Sequence, residues 1–172
     1  MKILFSFVSL IIGLHVFGQS EVNYKQIDSL GQLFTAQLKK GELDQFKNTT
    51  PPENTWTYDR LLDYKNALND EDITIYMGDF VEPSTVENLY AYNLFAFTKS
   101  QESDSYSYYF AAVVSVDVSG DQPRIVGCYL FTEREALKSW WKHVFGFYYN
   151  ETNKDIPEAY GHPTCPPPPF KD

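Results

Sequence analysis

Tyr106-Ser-Tyr-Tyr-Phe-Ala-Ala-Val-Val-Ser-Val-Asp-Val118 is the stretch on which the fold turns. Tyr106, Tyr108, Phe110, Ala112, Val114, Val116 and Val118 fall on one side of an extended chain. Ser107, Tyr109, Ala111, Val113, Ser115 and Asp117 fall on the other. A period of two over this length is a strand signal, because successive side chains of a pleated backbone point to opposite faces. Tyr108 and Tyr109 therefore face opposite ways, and Tyr109 is expected on the side away from the main core.

The flanking sequence extends this strand into a sheet. Ser119-Gly-Asp-Gln-Pro123 has the composition of a short hairpin connection, so Arg124 to Phe131 is expected to return as a partner strand. Upstream, Ile73 to Phe80 and Leu89 to Thr98 read as two more strands, separated by a connection containing Pro83. Before the sheet, Ile27, Leu30, Phe34 and Leu38 recur at helical spacing and predict an amphipathic helix over Val22–Leu38, with Gly41 as its stop. Glu42 to Lys47 predicts a further turn of helix. Tyr58, Leu61, Leu62, Lys65 and Leu68 predict a second helix capped by Thr57. After the sheet, Thr132-Glu-Arg-Glu135 has the form of a capping box. It opens a helix whose apolar face holds Ala136, Leu137, Trp140, Trp141, Val144 and Phe145, and Gly146 is its expected end. Residues 147–172 form a Pro-rich stretch expected to be irregular.

This order predicts an α+β fold: N-terminal helices, a four-stranded antiparallel sheet, then a C-terminal helix and an irregular Pro-rich tail, with the helices on one side of the sheet. The order of elements resembles the cystatin-like and nuclear-transport-factor-like cup folds, in which N-terminal helices lie against a curved antiparallel sheet. The C-terminal helix departs from that pattern, and the resemblance implies topology rather than function.

The first residues carry an address. Lys2 precedes an apolar run from Ile3 to Phe17, and Val16 and Gly18 supply small residues before Gln19. That is the pattern of a secretory signal peptide. The run is shorter than the roughly 20 apolar residues a membrane span requires. Met1–Gly18 is therefore expected to be a cleaved leader without a membrane anchor, and residues 19–172 a single exported domain, periplasmic or secreted.

Acidity limits the partners. The chain has a formal net charge of −9, and loss of Lys2 with the leader takes this to about −10. Such a surface repels nucleic acid and anionic membranes, and its natural partners are basic proteins, cations or neutral ligands. In an oxidising compartment, Cys128 and Cys165 are a candidate disulfide that would pin the tail to the sheet. The alternative is a buried Cys128 and a free Cys165 thiol.

Motifs for catalysis are missing from the sequence: there is no Gly-x-Ser-x-Gly elbow, His-Glu-x-x-His, phosphate loop or Cys-x-x-Cys. No catalytic residue, metal site or cofactor is expected. His143 falls near the end of the Trp-rich helix, where a cation suits the helix dipole. His162-Pro-Thr-Cys165 lacks the further ligands a metal needs. Asp70, Glu71 and Asp72, with Asp117 and Asp121 at a turn, read as a solvated acidic rim. Asn48-Thr-Thr50 and Asn150-Glu-Thr152 match glycosylation sequons, at a frequency expected by chance. Pro166–Pro169 favour a stiff polyproline II arm.

The aromatic content of 17 % is the most informative feature. Tyrosine offers rigid contact area with a polar tip. Tyr90, Tyr92, Tyr109 and Trp141 are accordingly the candidate binding residues. The expectation is a non-catalytic exported binding protein that meets a protein partner through an acidic, Tyr-rich surface, as an inhibitor or immunity-type protein would. The alternative is a small-molecule or glycan-binding domain, or a weak hydrolase, with a cup-like pocket between helices and sheet.

Overall fold

The computed structural model describes residues 24–100, 105–149, 168 and 170. The expected leader Met1–Gly18, Asn150 of the second sequon, His162 and Cys165 lie outside them. Helix α1 spans residues 24–40 and buries Ile27, Phe34 and Leu38 completely. It ends at Gly41, whose φ of +81° is the left-handed conformation that costs glycine nothing. The Gly41 N–H bonds to the Leu38 carbonyl at 3.1 Å and the Glu42 N–H to the Gln37 carbonyl at 2.9 Å. This pair of bonds is a Schellman cap, which satisfies carbonyls the helix would otherwise leave open.

Helix α2 (Asp44–Lys47) is one turn that buries Phe46. A 3-10 turn at Pro52–Asn54 leads into α3 (Thr55–Leu62) and, after a break, α4 (Lys65–Leu68). The sequence placed the start of α3 at Thr57. The N-cap is instead Asn54, three residues before Thr57, and Thr57 lies buried within the helix. The Lys47 ammonium pairs with the Asp59 carboxylate and ties α2 to α3. Thr50 is also buried, and its hydroxyl bonds the Phe46 carbonyl at 2.9 Å and the Tyr58 hydroxyl at 2.7 Å.

Strands β1 (Ile75–Pro83), β2 (Leu89–Lys99), β3 (Tyr106–Asp117) and β4 (Arg124–Phe131) form one antiparallel sheet in the order β1-β2-β3-β4. β1 starts two residues later than expected and takes in Pro83, which a lateral edge strand tolerates. Helix α5 runs from Arg134 to Tyr149 and passes through Gly146. Residues 147–149 are thus helical rather than part of an irregular tail, and α5 carries His143 in its interior.

The protein is α+β as the sequence predicts, but helices cover both faces of the sheet. From Tyr92 to Phe97 every residue of β2 is buried. Neighbours in a strand point opposite ways, so such a run requires cover on both sides. On one face Val81, Tyr92, Leu94, Ala96, Phe110, Val114, Ile125 and Cys128 join α1, α2 and α3 in the larger core. On the other, Phe80, Phe95, Phe97 and Ala111 pack against Leu137, Trp140 and Val144 of α5. The cup-like arrangement with one open face is therefore corrected to a sheet between two helical layers.

Two bulges explain where the period-two reading went astray. Phe97 pairs with Tyr108 and Ala96 with Phe110, which leaves Tyr109 as an extra residue. The extra residue reverses the phase of the strand. Tyr106 and Tyr108 therefore join the α5 face, and Tyr109 packs against the larger core beside Phe110. In β4 the pairs Val116–Ile125 and Ser115–Gly127 leave Val126 extra, so that Ile125 and Cys128 share the α1 face.

Candidate functional site

The two faces of the sheet each bury polar groups, in different ways. Under α1, Tyr92 is fully buried and its hydroxyl donates to the Asp79 carboxylate. Gln32 Nε2 donates to the same carboxylate at 2.6 Å, and Thr35 Oγ1 lies 3.1 Å from the Tyr92 hydroxyl. Burial, then the neighbouring charge of Asp79, pushes the Asp28 carboxyl above the usual carboxylate range. The Tyr92 hydroxyl is likewise held in its protonated form, by burial first and Asp79 second. Gly31 permits this packing. A Cβ at that position would overlap the ring carbons of Tyr92, so α1 rests directly on the aromatic ring.

Under α5, Glu82 and Asn93 are both buried. Asn93 Nδ2 donates to Glu82 Oε1 at 3.0 Å, and Trp140 Nε1 lies 3.4 Å from Asn93 Oδ1. His143 Nε2 sits 3.0 Å and 3.1 Å from the two Glu82 oxygens. The hydrogen bond to Glu82 raises the imidazole pKa against the opposing effect of burial, and the charge of Glu82 adds to the rise. The role of His143 is thus to pair with a buried carboxylate. The helix-terminus reading is corrected, because α5 continues past it.

A cleft opens on the same side of the sheet, where Tyr106, Ser107 and Tyr108 of β3 meet Arg134 and Leu137 of α5 and Thr132 just before it. Phe170 completes its wall, and the cavity measures about 260 Å³. The Tyr108 ring is edge-on to Trp140 at 5.9 Å and near-parallel to Phe170 at 6.1 Å. The Arg134 guanidinium lies 5.8 Å from the Phe170 ring centre, within cation–π range. The Tyr108 hydroxyl and Trp141 Nε1–H each donate to the Pro168 carbonyl at 2.8 Å.

The four binding residues named from the sequence do not form one surface. Tyr90 is half-buried and edge-on to Tyr24 at 5.4 Å on the α1 face. Tyr92 is sealed under α1, and Tyr109 is half-buried against the same core. Trp141 alone lies on the α5 face. The residues that the fold gathers at the cleft, Tyr106, Tyr108, Arg134, Leu137 and Phe170, were missed. Their signal was the bulge at Tyr109, which strict alternation cannot express.

Cys128 is a buried free thiol on the α1 face, and burial pushes its pKa up to about 12. Pro168 and Phe170 contact residues of the opposite face. Asp117 accepts from the Ser119 N–H at 2.8 Å and from Arg124 at 2.8 Å and 3.1 Å. Chiefly through Ser119, then Arg124, its carboxyl is held down at about 2. It closes a hairpin turn. Asp70, Glu71 and Asp72 are exposed. Among the described residues, no group of three His, Cys, Asp or Glu side chains could hold a metal ion. Among the same residues, no helix is long and apolar enough to cross a membrane. Comparison with protein-family models, curated proteins and solved structures finds no match to this chain.

Proposed function

We propose that this is an exported, non-catalytic binding protein that engages a protein partner at the cleft between β3, the start of α5 and Phe170. The observation that carries the reading is the make-up of that cleft. Aromatic faces, hydroxyls and a guanidinium converge there around Leu137, the mixture through which protein surfaces make their strongest contacts. Elsewhere, side chains with chemical potential are engaged in the fold: His143 by Glu82, Asp79 by Tyr92 and Gln32, Asp117 by Ser119 and Arg124.

At this cleft size weighs against the small-molecule alternative, whereas a groove of about 380 Å³ beside α1, at Lys25, Leu30, Leu33 and Pro123, is larger. A cavity of about 260 Å³ falls below the roughly 300–1,000 Å³ of drug-sized sites. The helix–sheet layer expected to form a cup is filled by Phe34, Leu38, Tyr58 and Tyr92. A net charge of −9 steers a basic partner toward the protein and speeds encounter. An inhibitor or immunity role against a basic toxin or hydrolase fits that charge. The leader directs this encounter to the periplasm or beyond.

The test is affinity capture from a native envelope fraction at low salt. The wild type is expected to recover one stoichiometric partner, released by salt. Tyr106→Ala, which removes an aromatic wall of the cleft without changing charge, should recover at least tenfold less, whereas Tyr109→Phe should behave as wild type. Capture of no partner across a range of salt, or equal capture by Tyr106→Ala, overturns the reading.

A further inference from the structure

We propose that a groove beside α1 binds a small aliphatic monocarboxylate, with its chain on Leu30, Leu33 and Pro123 and its acid group at Lys25. This site lies apart from the cleft of β3 and α5, and neither reading depends on the other. The groove forms where one flank of α1 meets the β3–β4 connection and measures about 380 Å³. That volume falls within the roughly 300–1,000 Å³ of small-molecule sites.

Its origin is the periodicity of α1. Ile27, Phe34 and Leu38 point into the core. Lys25, Ser29 and Leu33 recur at four-residue spacing along a neighbouring flank. Leu30 is half-buried against the core, whereas Leu33 is 44 % exposed. A lone exposed leucine would be ordinary. Here Leu30 and the Pro123 ring extend Leu33 into one apolar wall.

Local charge selects the occupant. The chain has 23 Asp and Glu against 14 Lys and Arg, yet the lining of this groove includes Lys25 and no carboxylate. Asp28 and Gln32 lie on the other flank of α1, where they face Asp79 of β1. Asp121 is exposed on the β3–β4 connection, outside the lining. The Ser29 hydroxyl donates to the Lys25 carbonyl at 2.8 Å. The donors left for an acid group are therefore the Lys25 ammonium and the amides of Gln26 and Gln122. Long-range repulsion by a net charge of −9 grows with the charge of the ligand. A monoanion is the least opposed of anions, and an anionic membrane or an acidic protein is far more so. An aliphatic chain suits a wall of two leucines and a proline.

The experiment follows hexanoate, octanoate, decanoate and decanol by isothermal titration calorimetry, with the full protein expressed in its own host and stripped of lipid. Affinity is expected to rise about twofold for each added methylene, about half the free energy of full burial. Lys25→Gln should weaken decanoate at least fivefold and leave decanol unchanged. Leu33→Ser should weaken both at least fivefold. Lys39→Gln removes the same charge from α1 outside the groove and should bind as wild type, which separates a contact from the net field. Both tested side chains are exposed, so each variant should keep the wild-type thermal transition; if Leu33→Ser loses it, Lys25→Gln decides alone. Absence of decanoate binding overturns the proposal, as do affinity independent of chain length and equal decanoate binding by wild type and Lys25→Gln. Sedimentation with phosphatidylglycerol vesicles that Leu33→Ser abolishes, without binding of dissolved decanoate, would assign the wall to a membrane and overturn it. A dimer that Leu33→Ser dissociates and decanoate leaves intact would assign it to a second copy, with the same consequence. Partner capture at the cleft of β3 and α5 is untouched by any of these outcomes.

Discussion

The α1 side of the sheet is closed by three packed helices, whereas the α5 side is closed by one helix and two residues of the C-terminal arm. On the first side the polar cluster sets like charges near each other: Asp28 and Asp79 stand around the Tyr92 hydroxyl. On the second it pairs opposites, with Glu82 against His143 and Asn93 between Glu82 and Trp140. One face is thus sealed over buried side chains, while on the other the described residues border an open cleft beside Phe170. One helix covers only part of a four-stranded sheet, and among the described residues the start of β3 at Tyr106 and Ser107 borders that cleft.

The largest expected effect tests how tightly the first face is sealed. Gly31→Ala in an ordinary helix would stabilise by about 1 kcal/mol. Here the added methyl meets the Tyr92 ring, and the expected result is destabilisation of about 3 kcal/mol in urea unfolding, at the upper end for overpacking. A neutral or stabilising outcome would break the claim that α1 rests on that ring. The second face has its counterpart in Asn93→Ala, which strips partners from Glu82 and Trp140. A loss of about 2 kcal/mol is expected, the cost of leaving buried polar groups unpaired. A loss under about 0.5 kcal/mol would mean that water reaches this cluster.

Smaller effects follow the charges. The His143 imidazole pKa is raised by its hydrogen bond to Glu82, so its contribution is fully present below the ordinary histidine value of about 6.5. That contribution is lost as pH rises through the higher folded value. With 62 % of the side chain in water, the effect should be no more than about 1 kcal/mol. His143→Gln should flatten stability across that window, and an unchanged slope would assign it elsewhere. On the first face Asp28 has a raised pKa, so stability falls as pH rises from the unfolded carboxylate value of about 3.9 through the folded one. Asp28→Asn should therefore stabilise slightly at neutral pH, by under about 1 kcal/mol because the group is only half-buried. Destabilisation would show that the carboxylate makes a bond the amide cannot replace. A last measurement leaves stability untouched. The Cys128 thiol should resist alkylation in the folded protein and react on unfolding without reductant. A requirement for reductant would establish the bridge to Cys165 and anchor the tail on the α1 face.

Much of the scaffold could be read directly. The bounds of β4 agree with those expected, and the Gly41 stop is a full Schellman cap. Ile27, Phe34 and Leu38 line the buried face that their spacing implied. The candidate site was far less legible. The chemistry of Tyr92 suits a binding surface, but Gly31 lets the neighbouring helix bury it. Strict alternation points Tyr109 outward, and one extra residue in the pairing turns it inward. Gly146 has the form of a terminator that would set His143 at a helix end, and the helix runs through it. Each of these depends on a partner distant in the chain, which local period and propensity cannot carry.

What the sequence by itself determined is the α+β class, the order of elements and the identity of most core residues, because periodicity and turn chemistry are local properties of the chain. Only the tertiary structure decided that both faces of the sheet are covered, that Glu82 meets His143, and that Tyr108 and Trp141 converge on the Pro168 carbonyl. Register and packing set those pairings. A single bulge changes which face a side chain occupies, and with it the groups that can meet.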